Sequence, residues 1–282
     1  MVGIVAVCAA AAVVAIVGGT VLLSRNESTA SGTPVLQLEV SPDTPLAKAA
    51  NLLNNGHAAA AAAIFKRSTT PEAKLGLAFA EWRGPSSLAG VKAIVAANPD
   101  DPALLLNLGW ANYAAGSSAD ASSAWQQTAS RFPDSPYAVD ALNALNPGVA
   151  PGLPPIVVDF TAVSGKARAD LEAGWRAWRT KHVVTARQKL DAAARLAPNV
   201  PETLVAAAVA RFSPANPTAP FPLLGPLSGR FPHAAIVRLH LGEVLLWRRE
   251  IAKGKEQLRL AVSAQPGSPY AKQAKLILQA LR

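Results

Sequence analysis

The sequence predicts an all-α chain of repeated helical hairpins, and three observations carry that expectation. Half of the residues are apolar but only 6% are aromatic, with heavy use of alanine, a composition that favours helices over sheets. Small residues recur at a fixed interval, with Gly174, Ala208 and Gly242 each 34 residues apart. Prolines recur at the same interval, at Pro198, Pro232 and Pro266. A period of that length marks a two-helix unit that buries its apolar face only by stacking on its neighbours.

The elements follow in chain order. Val2 to Leu23 is 22 residues without a charge. At 1.5 Å per residue it spans about 33 Å, enough for a bilayer core of about 30 Å. Residues 1–24 therefore read as a single membrane anchor closed by Arg25, with a cleaved signal peptide as the second reading. Val7 does not give Cys8 the small preceding residue of a lipoprotein, and as the only cysteine Cys8 forms no intrachain disulfide. No Lys or Arg precedes the span and Arg25 is answered by Glu27, so charge says little about orientation. Residues 25–43, rich in Ser, Thr, Pro and Gly, read as a flexible stalk carrying an extracytoplasmic domain. Asn26-Glu27-Ser28 fits a glycosylation sequon, a match too short to carry weight.

Residues 44–146 read as a first module. Leu46–Asn55, Gly56 and His57–Lys66 form helix, turn and helix. Pro71–Trp82 and Ser87–Ala97 flank a Gly84-Pro85 turn. Pro102–Ser135 is the most regular hairpin, with Leu105, Leu108, Gly109, Ala121, Trp125 and Pro133 in phase. Ser135-Pro136-Tyr137-Ala138 opens a lone helix to Leu145, expected to cap the last hairpin. Residues 147–166 are a Pro/Gly-rich linker that no regular helix survives. Within it the β-branched run Ile156–Phe160 is expected to lie extended against the helices. Pro133 to Pro198 is 65 residues, three short of two periods, so the phase breaks there. Either two modules touch or one degenerate repeat bridges them, and two modules are favoured.

Residues 167–282 read as a second module of three hairpins, Ala167–Val200, Pro201–Ala234 and Ala235–Ser268. The middle one has a proline-rich turn, Ser213 to Pro222, and a short second helix from Leu223 to Gly229. Ser268-Pro269-Tyr270-Ala271 then opens a last helix to Arg282. The same four residues open both caps, which points to an internal duplication.

The spacing of Gly174, Ala186, Ala193 and Pro198, at places 8, 20, 27 and 32 of the hairpin at 167–200, resembles the tetratricopeptide repeat, or TPR. The resemblance covers 44–282 apart from the linker. Other helical-hairpin arrays, of Sel1-like or HEAT type, fit the interval less well. The resemblance implies an α-solenoid of about six repeats in two capped modules, with a concave groove lined by first helices that binds a peptide or partner helix. The family's groove places fall on Arg168, Leu171, Trp175, Trp178 and Arg179 in one hairpin. In the last they fall on Ile236, Leu239, Glu243, Leu246 and Trp247, and in the first module on Trp110 and Tyr113. Aromatics beside arginine suit an acidic or amphipathic peptide. The alternative is that these tryptophans pack between helices or cover the linker. The lysine and asparagine with which some TPR domains grip a chaperone carboxylate are replaced here by Leu171, Trp175 and Val205, so a chaperone-tail adaptor is not implied.

Charge is unevenly spread. The chain carries +9, but Lys166 to Arg282 holds 19 Lys+Arg against 7 Asp+Glu, a net of +12, leaving −3 elsewhere. A basic half suggests an anionic partner such as lipid, envelope polymer or an acidic protein. Arg187, Lys189, Arg195, Arg248, Arg249, Lys253, Lys255 and Arg259 fall mostly on second helices without interleaved aromatics, which argues against nucleic acid. No phosphate loop, nucleophile elbow or His-Glu-x-x-His occurs, and Ser164-Gly165-Lys166 lacks the upstream glycines. Of His57, His182, His233 and His240, only His240 has a helical partner, Glu243, and two ligands without a third do not make a metal site. No enzyme, cofactor or metal is expected. The expected function is a membrane-tethered scaffold for a protein or peptide partner. The alternative is a structural component of a cell-envelope assembly whose basic module contacts anionic lipid or polymer.

Overall fold

The computed structural model describes residues 32–281. The expected anchor, Cys8, the sequon and the start of the stalk lie outside the described residues. Among those described there are fourteen α-helices, two short 3-10 turns and no strand. None of these helices is long and apolar enough to cross a membrane. The chain divides into two units, one ending at Leu145 and one whose described part begins at Asn146.

The first unit holds α1 (Pro45–Asn54), α2 (Ala58–Phe65), α3 (Pro71–Ala80), α4 (Leu88–Ala96), α5 (Pro102–Ala114), α6 (Ser118–Arg131) and α7 (Pro136–Leu145). Its first helices begin where the sequence supplies a capping oxygen followed by proline. Thr44 accepts from the Ala47 N–H, Thr70 from Ala73, and Asp101 from Ala103 and Leu104, each satisfying an N–H that the helix leaves without a partner. Neighbouring helices pack in pairs around Phe65, Leu75, Phe79 and Leu104, and around Leu106, Trp125 and Ala141.

The second unit holds α8 (Gly165–Arg179), α9 (Val183–Leu196), α10 (Pro201–Val209), α11 (Phe221–Arg230), α12 (Ala235–Trp247), α13 (Ile251–Ala264) and α14 (Pro269–Ala280). One core runs through it, from Leu171 and Leu190 to Val205, Leu239 and Ile277. Helix α11 is longer than the sequence suggests and accommodates Pro226 in its interior.

The 34-residue interval has a steric cause. A Cβ on Gly174 would stand 2.6 Å from Leu190, and one on Gly242 would stand 2.9 Å from Leu258. Gly109 faces the Trp125 indole in the same way, and Gly76 of α3 faces the Phe65 ring of the preceding hairpin's α2. At Gly109, Gly174 and Gly242 a first helix crosses its own second, at Gly76 it crosses the second helix of the hairpin before, and a side chain at any of them would push the pair apart. In the middle hairpin of the second unit Ala208 takes that place, and it and Leu224 are fully buried.

Two segments differ from the sequence reading. Residues 34–40, inside the expected flexible stalk, lie extended against the first unit with Leu36 only 1% exposed. The expected linker at 147–166 differs in that it packs into the second unit from Ala150 onward, while its run Ile156–Phe160 lies against the helices as the sequence reading expects, with Ile156, Val157 and Val158 buried. Part of the basic surplus is structural. Arg187 donates to the carbonyls of Ala210 and Phe212 at the end of α10, at 2.7 and 3.1 Å. Arg211 pairs with both oxygens of Asp191 at 2.8 and 2.9 Å.

Candidate functional site

Each unit carries an extended strap laid across its helices, and each strap is held by side chains that read its backbone. In the first unit Asn54, at the end of α1, takes both polar groups of one residue. The Leu36 N–H donates to Asn54 Oδ1 at 2.9 Å and Asn54 Nδ2 donates to the Leu36 carbonyl at 2.8 Å. Asn107 of α5 does the same for the next residue. The Gln37 N–H donates to its Oδ1 at 2.9 Å and its Nδ2 donates to the Gln37 carbonyl at 2.8 Å. A primary amide has one donor edge and one acceptor edge, so it imitates the rim of a neighbouring strand. Trp110 Nε1 donates to Gln37 Oε1 at 3.1 Å, and the Glu39 N–H donates to the Tyr137 hydroxyl of α7 at 3.0 Å. Burial pushes the Tyr137 phenol above its ordinary pKa.

In the second unit the same task is done with different chemistry. Trp178 Nε1 donates to the Pro154 carbonyl at 2.8 Å and Trp175 Nε1 to the Ile156 carbonyl at 2.9 Å. The Val157 N–H donates to His240 Nε2 at 3.0 Å. The Asp159 N–H donates to the Tyr270 hydroxyl at 2.9 Å, which donates onward to Glu202 Oε1 at 3.0 Å. Upstream, the Ala150 N–H closes on the Trp247 carbonyl at 2.9 Å.

The correspondence is positional. Asn107 and His240 are 133 residues apart, as are Tyr137 and Tyr270. Gln37 and Val157 are 120 apart, as are Glu39 and Asp159, and in each strap the acidic residue stands six before its first helix, at Pro45 or Gly165. The duplication suggested by the two caps therefore extends to the straps and to the groups that hold them.

Burial sets the electrostatics of the second seat. His240 Nδ1 lies 2.8 Å from the Ile236 carbonyl, so Nδ1 carries the proton and Nε2 is the acceptor. Complete burial pushes its pKa down to about 4, which keeps the ring neutral. With both nitrogens committed, His240 has none left for a metal. Glu243, 3.8 Å from Nε2, is pushed well above the ordinary carboxylate range by burial. Its two oxygens, Trp247 Nε1 and Gln273 Nε2 have no protein hydrogen-bond partner. Burial and the neighbouring Glu202 push the Tyr270 phenol up.

The candidate groove residues are distributed as follows. Trp110, Trp175 and Trp178 meet the straps, which for Trp175 and Trp178 is the linker-covering role. Tyr113 meets Trp110 edge-to-face at a centroid distance of 6.3 Å and lies tilted against Trp125 at 6.2 Å. Leu171, Trp178 and Trp247 are buried at 0%, 2% and 3% exposure, so they present no open surface. The Arg179 guanidinium lies 4.6 Å from the Trp175 ring centroid, and exposed Arg168 pairs with Glu172 at 2.8 Å. Asn54, Asn107, Tyr137, Tyr270 and Glu202 are not legible as site residues in the sequence, and His240 is legible only as an insufficient metal pair with Glu243. The one signal for them was the recurrence of Ser-Pro-Tyr-Ala at both caps. Among the described residues no group of three or more His, Cys, Asp or Glu is placed to hold a metal.

No family model matches the chain, and no curated protein matches it.

Proposed function

We propose that this chain is a membrane-tethered interaction scaffold of TPR type, not an enzyme, whose hairpin grooves are built to hold extended peptide segments. The observation that supports the reading is the paired backbone clamp of Asn54 and Asn107 on Leu36 and Gln37. Side chains that satisfy both N–H and C=O of successive residues recognise extended backbone, whereas a helix keeps those groups for itself. The tether rests on the uncharged run Val2–Leu23, with the repeats on the extracytoplasmic side, and the partner is a protein or peptide rather than nucleic acid. In the full-length Leu36→Asp variant, whose strap would bury a charge, a labelled peptide spanning Thr33–Ser41 should bind. Binding should fall at least tenfold when Asn107→Leu is added. A folded Leu36→Asp variant that ignores the peptide would overturn the reading.

A second reading, contact of the basic unit with an anionic envelope surface, is favoured by three exposed leucines that each follow an exposed base. These are Leu196 after Arg195, Leu260 after Arg259 and Leu276 after Lys275. Vesicles with anionic lipid should then bind the chain at low salt and release it at high salt. Peptide binding in the groove should be salt-insensitive.

A further inference from the structure

The two straps are tied into their units very differently. The strap of the second unit is anchored upstream as well, where the Ala150 N–H meets the Trp247 carbonyl and Arg249 Nη2 donates to the Pro147 carbonyl at 3.2 Å. Its residues Pro154, Ile156, Val157 and Val158 are all buried. In the first unit only Pro34 and Leu36 are buried; Gln37, Leu38 and Val40 are half-buried and Glu39 is exposed. Leu38 packs partly buried against the core, and the side chains Asn54, Asn107, Trp110 and Tyr137 add polar contacts.

We propose that the first strap exchanges between copies, so that residues 34–40 of one chain occupy the seat on α1, α5 and α7 of a second chain. This rests on the groove reading above and names its partner: a second copy, which carries the segment the seat is seen to fit. Every strap contact made within one chain is reproduced between two, because the second copy brings the same strap and the same seat. The hinge is short. Ser41 to Thr44 joins the strap to α1 through a turn closed by the Thr44 N–H and Oγ1 on the Ser41 carbonyl, at 3.0 and 2.8 Å. Opening it leaves the separate Thr44 cap on the Ala47 N–H intact. Ser41, Pro42 and Asp43 are exposed, so nothing is uncovered as the turn straightens. A strap on a short tether competes at an effective concentration on the order of mM. Exchange therefore belongs where copies are crowded to a similar level, as on a shared membrane surface.

Two full-length copies in mild detergent test this. One carries Leu36→Asp, leaving its seat empty. The other carries Asn54→Leu with Asn107→Leu, leaving its strap intact and its seat disabled. Neither copy should associate alone. Mixed, they should form a one-to-one complex at least tenfold tighter than either self-association, read by energy transfer between labels and by sedimentation. No complex between folded copies overturns the exchange. The labelled peptide Thr33–Ser41 separates the two readings: if it binds the Leu36→Asp copy while the copies stay apart, exchange falls and the groove reading survives. If it does not bind either, both fall. Should Leu36→Asp fail to fold, Leu36→Ala replaces it, removing the anchor without burying a charge.

Discussion

The two straps cross their units by the same route and hand the same two backbone N–H groups to equivalent side chains, yet they are secured by different forces. In the second unit Ile156, Val157 and Val158 are buried at 4%, 6% and 6% exposure, contributing roughly 5–8 kcal/mol of apolar transfer free energy. In the first, Leu36 alone among the aliphatic side chains is fully buried, worth roughly 2 kcal/mol. Its hydrogen bonds add about 1 kcal/mol each. One unit has absorbed its strap into the core, and the other holds it with Leu36, a partly buried Leu38 and a set of polar contacts. On the proposal above, equivalent architecture does not carry equivalent function: the first seat would serve as a receptor and the second as a closed wall.

Charge placed in each strap should separate them most. Val157→Asp would bury an unpaired carboxylate and should cost about 4 kcal/mol or more, removing the second unit's urea transition. Leu36→Asp should cost about 2 kcal/mol and leave the helices of the first unit folded.

Acidification sharpens the comparison, because His240 stands where the first unit has Asn107. His240 titrates at about 4 in the fold, against an ordinary 6.5. Between those values the unfolded chain binds a proton that the folded chain does not, so this group alone costs stability as pH falls from about 6.5 to about 4. Glu243 acts in the opposite sense. Raised from 4.5, it keeps its proton in the fold when the unfolded chain has lost it, so its contribution is lost as pH rises above about 4.5. In the native chain the two slopes oppose each other between about 4.5 and 6.5. Glu243→Gln should expose the histidine, and the second unit should then lose about 3 kcal/mol between pH 6.5 and 4. Urea midpoints across that range read it out.

The cap tyrosines differ less. Tyr270→Phe strips a buried hydroxyl from both the Asp159 N–H and Glu202 and should cost about 2 kcal/mol in thermal unfolding. Tyr137→Phe, at a half-buried site whose donor comes from exposed Glu39, should cost about 0.5–1 kcal/mol. The smallest change is Trp110→Phe, which loses the bond to Gln37 Oε1 and should lower the melting temperature of the first unit by a degree or two.

The hairpins were legible because glycine at the helix crossings and proline at the hairpin ends are steric requirements, and those write a period into the sequence. The strap at 156–160 was legible from its β-branched run. The strap at 34–40 was not, because seven residues between Ser, Thr and Pro read as stalk. Its alternation of Leu36, Leu38 and Val40 with Gln37 and Glu39 is the strand-like pattern that betrays it in hindsight. Asn54 and Asn107 were hidden for a different reason: an asparagine on a helix is informative only once the backbone it grips is known. In the sequence His240 pairs only with Glu243 as a ligand candidate, and the fold gives its acceptor nitrogen to the Val157 N–H instead.

Amide hydrogen exchange tests the central contrast most directly. The Leu36, Gln37 and Glu39 amides should exchange through local opening, orders of magnitude faster than the α5 core, while the Val157 and Asp159 amides should exchange only with unfolding of the second unit. Equal protection of the two sets would contradict the account, because it would make the first strap as permanent as the second.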